Sequence, residues 1–192
     1  MATLKVAKPL AAFLDLIAAS EGTSSNPLTE ADGYDVIVSG VDGHHVFTDF
    51  ATHPFALGRP PILVREARPE QMKTLPIGSD SKPQIVAPAV PALHSTASGR
   101  YQIILPTWKH LAGTYTLGTF SPQNQDLAAL HLLDECDATR HILNGDVEVG
   151  ISRACETWAS FPGNLYNQRM HTMESLLTTY NKFLLLTGKQ GA

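Results

Sequence analysis

One glutamate, Glu21, lies at a position in the sequence where a carboxyl group could transfer protons. The stretch AAFLDLIAASEG at 11–22 predicts a helix, because the apolar residues in and beside it recur at spacings of three and four and form one buried face. These residues are Leu10, Phe13, Leu14, Ile17 and Ala18. Glu21 continues the face, since it follows Ile17 by four positions. Partial burial and the negative end of the helix dipole both disfavour a carboxylate, so we expect a raised pKa for Glu21. Such a group can hold a proton near neutral pH and donate it.

The helix that positions Glu21 is predicted to end at Gly22. Glycine adopts, without steric cost, the left-handed conformation that closes many helices. This end leaves Glu21 on the last turn. The alternative is that Glu21 is an ordinary surface residue, because helices often carry glutamate near their ends.

The remainder of the chain predicts an α+β fold that is mostly helical. The β-branched residues at 33–38 and 44–47, separated by turn residues at 39–43, predict a hairpin. Ser121 followed by Pro122 is typical of a helix start, with serine as the cap and proline at the first helical position. The predicted helices after the hairpin begin near Leu105 and at Pro122, and then cover 139–143, 147–160 with Asp146 as the cap, and 167–186.

Residues 54–93 differ in composition from the rest of the chain, because they contain eight of its thirteen prolines. Proline lacks a backbone N–H and fits neither a helix interior nor a central strand. Between the prolines, the apolar segments at 62–65 and 84–90 could form edge strands or lie against a surface. We therefore expect one domain over residues 1–192, with an extended excursion inserted at about 58–93.

Composition argues against several classes of function. The net charge of −4 at pH 7, without a basic run, makes nucleic acid an unexpected partner. No run approaches the roughly 20 apolar residues that span a bilayer, so stable membrane insertion is not expected. The apolar run at 9–19 has the outline of a signal peptide, but Asp15 interrupts it and export by cleavage is not expected. The two cysteines, Cys136 and Cys155, are expected to be reduced.

The sequence predicts no metal site and no cofactor. His44 and His45 are adjacent on a predicted strand, where neighbours point to opposite faces, so the pair cannot easily bind one ion. Trp108 and Trp158 fall in helical patterns, which favours a place in the core over a ligand-stacking role.

Six segments of the chain resemble successive segments of the bacteriophage lambda endolysin family, in the same order. They are AFLDLIAASEGT at 12–23, GYDVIVSG at 33–40, FTDFATHP at 47–54, STASGRYQ at 95–102, FSPQNQDLAAL at 120–130 and WASFPG at 158–163. The resemblance covers nearly the whole chain except the proline-rich excursion, which is longer than the corresponding loop of the family. It implies a lysozyme-like fold. It also implies a lytic transglycosylase, which cleaves the β-1,4 bond between N-acetylmuramic acid and N-acetylglucosamine and leaves a 1,6-anhydromuramic product.

The catalytic acid of the family corresponds to Glu21 through the segment SEG. The resemblance implies that Glu21 protonates the glycosidic oxygen and then accepts the proton of the C6 hydroxyl as that hydroxyl closes on C1. A hydrolytic muramidase is the alternative, in which Asp35 helps to activate a water molecule. A third reading is a non-catalytic peptidoglycan-binding or structural phage protein, against which the presence of Glu21 argues.

The resemblance also implies a set of substrate-binding residues. The set is Tyr34, Asp35, Gly99, Tyr101, Gln102 and Tyr166. Gly99 would let the backbone approach the substrate, and Gln102 is similar to glutamines that bind an acetamido sugar in lytic transglycosylases. Two alternatives stay open: Asp35 as a hydrogen-bond acceptor in the hairpin, and Tyr101 as a residue that fastens the β element to the helices. Around Tyr166 the sequence departs from the glycine-rich version of the family.

The expected partner is the glycan strand of peptidoglycan. The resemblance implies that the protein collects in the host cytoplasm before lysis and then acts on peptidoglycan in the periplasm. Access to the wall would depend on a separate membrane-permeabilising protein. Three roles stay open for the excursion at about 58–93: a flap over the cleft, a surface for a partner or wall component, and an inert insertion.

Overall fold

The computed structural model describes residues 1–75, 82–163 and 171–187. The helices in these ranges are α1 (Lys8–Ser20), α2 (Leu105–Tyr115), α3 (Pro122–Glu135), α4 (Thr139–Leu143), α5 (Val147–Ala154) and α6 (Met173–Thr187). The strands are β1 (Val36–Gly40), β2 (Gly43–Val46), β3 (Ile62–Arg65), β4 (Gln71–Leu75), β5 (Lys82–Ala87) and β6 (Leu93–Ser95). They pair as three small antiparallel sheets, β1 with β2, β3 with β6 and β4 with β5. The predicted α+β fold with mostly helical content is confirmed.

Helix α1 lies at the centre of the fold. Residues 12–18 are all buried, so this helix is enclosed on every side rather than along the single face that its sequence predicts. Helices α3, α4 and α6 pack against it. The ring of Phe13 makes edge-to-face contacts with Phe161 and Tyr180, with ring centroids 6.0 and 6.3 Å apart. Burial of one such ring contributes about 1.5–3 kcal/mol, and the enclosure fixes the end of α1 at which Glu21 lies.

The predicted hairpin is confirmed as strands β1 and β2, with shifted bounds. Val36 pairs with Val46, and Gly40 pairs with Gly43 across the turn. Strand β1 begins at Val36 rather than at residue 33. The reason is that the carboxyl group of Asp35 accepts hydrogen bonds from the Thr29 hydroxyl and the Glu30 N–H, which fold the chain into a loop ahead of the strand.

In the described residues, the proline-rich excursion is a two-stranded ribbon (residues 62–75 and 82–95). Strands β3 and β6 form its base, with Ile62 opposite Ser95, and strands β4 and β5 extend it. An isolated bridge between Arg68 and Val90 joins the two parts. The strand predicted at 62–65 is confirmed. The strand predicted at 84–90 is instead Lys82–Ala87, and it contains Pro83, which a two-stranded ribbon tolerates because each strand has one unpaired edge.

The predicted starts of two helices are confirmed. Helix α2 begins at Leu105 with Pro106 in its first turn. Helix α3 begins at Pro122, and the Ser121 hydroxyl accepts a hydrogen bond from the Asn124 N–H at 3.4 Å. The five-residue helix predicted at 139–143 is α4.

Two predicted helix bounds are wrong. Helix α5 ends at Ala154 rather than at residue 160, because Trp158 and Phe161 turn inward and are buried after it. Asp146 precedes α5 as predicted, but its side chain makes no capping hydrogen bond. Helix α6 begins at Met173 rather than at residue 167, and residues 164–170 lie outside the described residues.

The described residues also bear on the membrane, cysteine and tryptophan predictions. None of the described helices is both long enough and apolar enough to cross a bilayer. Cys136 and Cys155 are free thiols. Trp108 and Trp158 are 4% and 3% exposed, so the prediction that both belong to the core is confirmed.

Candidate active site

Glu21 lies at the C-terminal end of α1, where the sequence predicts it. Its N–H donates to the Ile17 carbonyl at 2.9 Å, which continues the helix by one residue. Gly22 follows in the left-handed region with φ of 71°, so the predicted helix end is confirmed. The Glu21 side chain is partly buried, and its position is set by the enclosed helix behind it.

The Glu21 carboxyl group is held by a segment from the other end of the chain. The Ser160 hydroxyl donates to Oε1 of Glu21 at 2.7 Å. Burial raises the pKa of Glu21 above its ordinary value of 4.5, while hydrogen bonds from Ser160 and the nearby His171 act in the opposite direction and are weaker. The predicted direction of the pKa shift is therefore confirmed, and its cause is burial.

The candidate site is a cleft with two parts, which meet at Glu21. The larger part has a volume of about 540 Å³ and the smaller part about 330 Å³. Glu21, Val38 and Gln102 line both parts. Volumes of this size suit a ligand of several sugar rings rather than an ion, and a linear ligand in both parts would pass Glu21, which lines each of them.

The ribbon forms one wall of the larger part of the cleft. Val64, Leu93 and His94, from the base strands β3 and β6, line it. Trp158 also lines this part, and its indole N–H donates to the Tyr101 carbonyl at 3.0 Å. The excursion therefore contributes directly to the candidate site through its base.

Gln102 is a predicted binding residue that lines both parts of the cleft together with Glu21. It has φ of 50°, a left-handed conformation that is rare outside glycine, and its side-chain amide donates to the Gly99 carbonyl at 3.0 Å. A residue held in such a conformation at a cleft is often functional. The structure brings Gln102 together with Glu21.

The hydroxyl groups of Tyr34 and Tyr101 point away from the cleft into a buried network. Both donate to Oδ1 of Asp126, at 2.7 and 2.6 Å. The two side chains are 3% and 1% exposed, and burial together with the charge of Asp126 raises the pKa of both phenols. Tyr34 is not among the residues that line the cleft, whereas Tyr101 borders it. The structure therefore gives Tyr34 a place in the core.

Asp35 and Gly99 also have structural partners. The Asp35 carboxyl is 7% exposed, is occupied by Thr29 and the Glu30 N–H, and does not line the cleft. A Cβ atom on Gly99 would lie 2.1 Å from Oε1 of Gln125, so this glycine makes room for a helix side chain. The structure does not bring Asp35 to Glu21. Its contacts agree with the alternative prediction, in which Asp35 is a hydrogen-bond acceptor in the hairpin. Tyr166 lies outside the described residues.

Several polar residues of the site were missed by the sequence reasoning. Ser160 lies within the recognised segment WASFPG, and Asp126 with Gln125 lies within FSPQNQDLAAL, but neither segment alone predicts a contact. No pattern in the sequence indicates a role for His171. Its ring N–H, at Nε2, donates to the Ser20 carbonyl at 3.1 Å, since a carbonyl can only accept.

The fold and the cleft define a lysozyme-like protein. The structure of bacteriophage lambda lysozyme complexed with a chitohexasaccharide matches it with a TM-score of 0.70 and 32% identity, covering 94% of this chain and 97% of that chain. The endolysin of Escherichia phage P2 is 41% identical over 181 residues, which are 94% of this chain and 95% of that protein. The endolysin of Escherichia phage lambda is 34% identical over 172 residues, with 89% and 88% covered.

The family model described as "Endolysin" matches residues 11–184. The chain therefore belongs to the endolysin family, and the predicted family and fold class are confirmed.

Proposed function

We propose that this protein is a phage endolysin that degrades bacterial peptidoglycan, and that it does so as a lytic transglycosylase. The observation that carries the proposal is Glu21: a partly buried carboxyl group with a raised pKa, at the junction of the two parts of a cleft. A neutral carboxylic acid at this junction is a general acid for a bond in a ligand that occupies both parts. The bacteriophage lambda lysozyme complexed with a chitohexasaccharide supports a glycan as that ligand.

The first step is protonation of the glycosidic oxygen by Glu21. The bond between that oxygen and C1 of N-acetylmuramic acid breaks, and C1 takes on oxocarbenium character. The leaving N-acetylglucosamine keeps the proton on its O4 hydroxyl. Glu21 is now a carboxylate.

The second step returns the proton to Glu21. The C6 hydroxyl of the muramic acid attacks C1, a new O6–C1 bond forms, and the Glu21 carboxylate accepts the hydroxyl proton. The product carries a 1,6-anhydro ring, and Glu21 is again a neutral acid. No water is consumed, so a single carboxyl group is sufficient.

A hydrolytic muramidase is the second candidate, and one observation favours keeping it. Glu156 lines the larger part of the cleft together with Glu21. A second carboxylate in the same cleft is the feature that hydrolytic glycosidases use to activate water or to stabilise the intermediate. Glu156, rather than Asp35, is therefore the residue to test for this activity.

Mass spectrometry of the products separates the two candidates. Purified Gram-negative peptidoglycan is digested with the native protein, with Glu21→Gln and with Glu148→Gln, a matched control at an exposed position on α5. We expect anhydromuropeptides from the native protein and the control, and none from Glu21→Gln. Reducing-end products from the native protein would overturn the transglycosylase assignment and make Glu156→Gln the next variant.

We further propose that the protein collects in the host cytoplasm and reaches the wall only after a separate protein permeabilises the inner membrane. Peptidoglycan lies outside that membrane, so a protein that collects in the cytoplasm needs such a route to reach it. Cells that express the chain alone should stay intact and lyse on addition of a membrane-permeabilising agent. Spontaneous lysis, with the protein in the periplasmic fraction beforehand, would contradict this route.

A further inference from the structure

The contact between Glu21 and Ser160 joins two segments that are 139 positions apart. Ser160 follows α5 in a turn that is itself fastened to the end of α1. The Ser160 carbonyl accepts the His171 N–H at 3.0 Å, and the His171 ring donates to the Ser20 carbonyl at 3.1 Å. The backbone that carries the Ser160 hydroxyl is thus fastened to the end of α1 by contacts that do not involve the Glu21 carboxyl group.

We propose that Ser160 is a positioning residue for the proton transfers of Glu21: its hydroxyl holds the carboxyl oxygen Oε1 and leaves Oε2 to exchange the proton with the glycan. This inference rests on the proposed function, because it assigns a role within the same proton transfers. Ser160 acts through Glu21 and need not touch the substrate.

A count of hydrogens supports the direction of this bond. The Ser20 hydroxyl lies 2.8 Å from the Ile17 carbonyl, to which it donates, so its oxygen can only accept from Ser160 at 3.0 Å. Ser160 has one hydroxyl hydrogen and two acceptors, Ser20 and Glu21. The shorter contact, at 2.7 Å, is to the carboxyl group, and a carboxylate is the stronger acceptor.

The same bond persists in both protonation states of Glu21. Oε1 accepts from Ser160 when the group is a carboxylate, and it accepts as a carbonyl oxygen when the proton is on Oε2. The carboxyl group therefore keeps one orientation through the donation and the return of the proton. A fixed orientation of this kind lowers the barrier of each transfer, because the acid does not have to be reoriented between them.

The experiment compares the native protein with Ser160→Ala and Ser160→Thr. Initial rates on purified peptidoglycan are measured against substrate concentration and across pH. For Ser160→Ala we expect kcat to fall about 10- to 100-fold with little change in KM, because the binding surface is kept and one group that orients the acid is lost. Ser160→Thr keeps the hydroxyl and should recover most of the rate. Ser152→Ala removes an exposed serine on α5 and should match the native protein.

The pH profile separates positioning from a structural role. The hydrogen bond from the Ser160 hydroxyl lowers the pKa of Glu21, so its loss should move the alkaline limb of the profile to higher pH. The titratable groups described near Glu21 include His171, from the segment before α6, and four residues that line the cleft, Glu156, His94, Tyr101 and His44. All are unchanged in the variant. A structural role would lower the rate by the same factor at every pH, together with the Tm, and that result would overturn the inference.

A measurement without substrate keeps this inference separate from the proposed function. The Glu21 carboxyl carbon of ¹³C-glutamate-labelled protein is titrated by NMR, with Glu21→Gln used to assign its signal. We expect a higher pKa for Glu21 in Ser160→Ala than in the native protein and in Ser152→Ala. An unchanged pKa and an unchanged kcat would refute the role of Ser160, whereas the absence of any peptidoglycan product from the native protein would refute the proposed function.

Discussion

The guanidinium group of Arg100 lies 2.9 Å from Oδ1 of Asp15, and the two side chains are only 2% and 1% exposed. Asp15 occupies the middle of α1, where an unpaired carboxylate would be strongly destabilising. Arg100 belongs to the loop that places Gln102 in the cleft. The ion pair therefore joins the helix that ends at Glu21 to the loop on the other side of the candidate site.

Arg100→Met should strongly destabilise the protein. Removal of one partner from a buried ion pair typically costs about 3–5 kcal/mol, because the other charge stays buried without compensation. The Ala2 N–H still donates to Asp15 at 2.8 Å, so we expect a value of about 3 kcal/mol in urea unfolding. Arg140→Met is the control, since Arg140 forms an exposed pair with Asp137 and its loss should leave the midpoint nearly unchanged. Equal midpoints for the two variants would contradict this view of Arg100.

Gly99→Ala should cost more stability than Gly58→Ala. Both glycines have positive φ, 76° and 87°, so both substitutions carry backbone strain of about 1–2 kcal/mol. Only at Gly99 does the new Cβ meet an atom, Oε1 of Gln125 at 2.1 Å, while Gly58 faces open space. The Gln125 side chain cannot move freely, because its oxygen accepts a hydrogen bond from the Arg100 N–H and its NH₂ group donates to the carbonyls of Tyr34 and Phe120. Thermal melts should show the larger loss of Tm for Gly99→Ala, and equal losses would argue against the steric contact.

The sequence predicts those parts of the site that depend on local rules. Glu21 follows from the helical spacing of apolar residues and from Gly22, and the start of α3 follows from Ser121 and Pro122. Each of these features is decided by neighbours within one or two turns of helix. The position and the raised pKa of Glu21 could therefore be predicted before the fold was known.

The partners of Glu21 could not be predicted in this way. Ser160 reaches Glu21 across 139 positions, and the contact exists because α5 ends early and the following turn is buried against α1. Tyr34 was predicted to bind substrate, but its phenol group bonds Asp126, which lies 92 positions away on α3. Hydrophobic periodicity and short motifs do not predict which distant polar group a side chain will contact once the helices pack.

Asp126→Asn should destabilise the attachment of the N-terminal segment more than Tyr34→Phe does. Oδ1 of Asp126 accepts from two tyrosines, and Oδ2 accepts from the N–H groups of Thr3 and Leu4 at 2.6 and 2.9 Å. Every partner is a donor, so an amide NH₂ on either side would face another donor. We expect a loss of about 2–3 kcal/mol for Asp126→Asn and about 1 kcal/mol for Tyr34→Phe, which removes one bond to Asp126 and a longer one, at 3.2 Å, from the Thr3 N–H.

Hydrogen exchange of the Thr3 and Leu4 amides checks the Asp126 prediction. Both amides should exchange faster in Asp126→Asn, because they lose their acceptor, and should stay protected in Tyr34→Phe. Protection that is unchanged in Asp126→Asn would show that other contacts hold the N-terminal segment.

Glu21→Gln should stabilise the protein at neutral to alkaline pH. Because burial raises the pKa of Glu21 in the folded state, the folded protein binds this proton more tightly than the unfolded chain does. The resulting stability is fully present below the unfolded pKa and is lost as pH rises through the folded pKa. Above its folded pKa the native protein buries a carboxylate, at a cost that glutamine does not carry, so the Tm of the variant should be higher at about pH 8.

The advantage of Glu21→Gln should disappear on acidification. Below the ordinary carboxyl pKa of 4.5 both side chains are neutral, so the two melting temperatures should converge at about pH 4. Each kcal/mol of difference corresponds to about 2–4 °C in a chain of this size. Glu148→Gln, at an exposed position, should show no such dependence on pH. A variant less stable than the native protein at about pH 8 would contradict a raised pKa. A more stable one would indicate that the fold gives up stability to keep a proton-donating carboxyl group in the cleft.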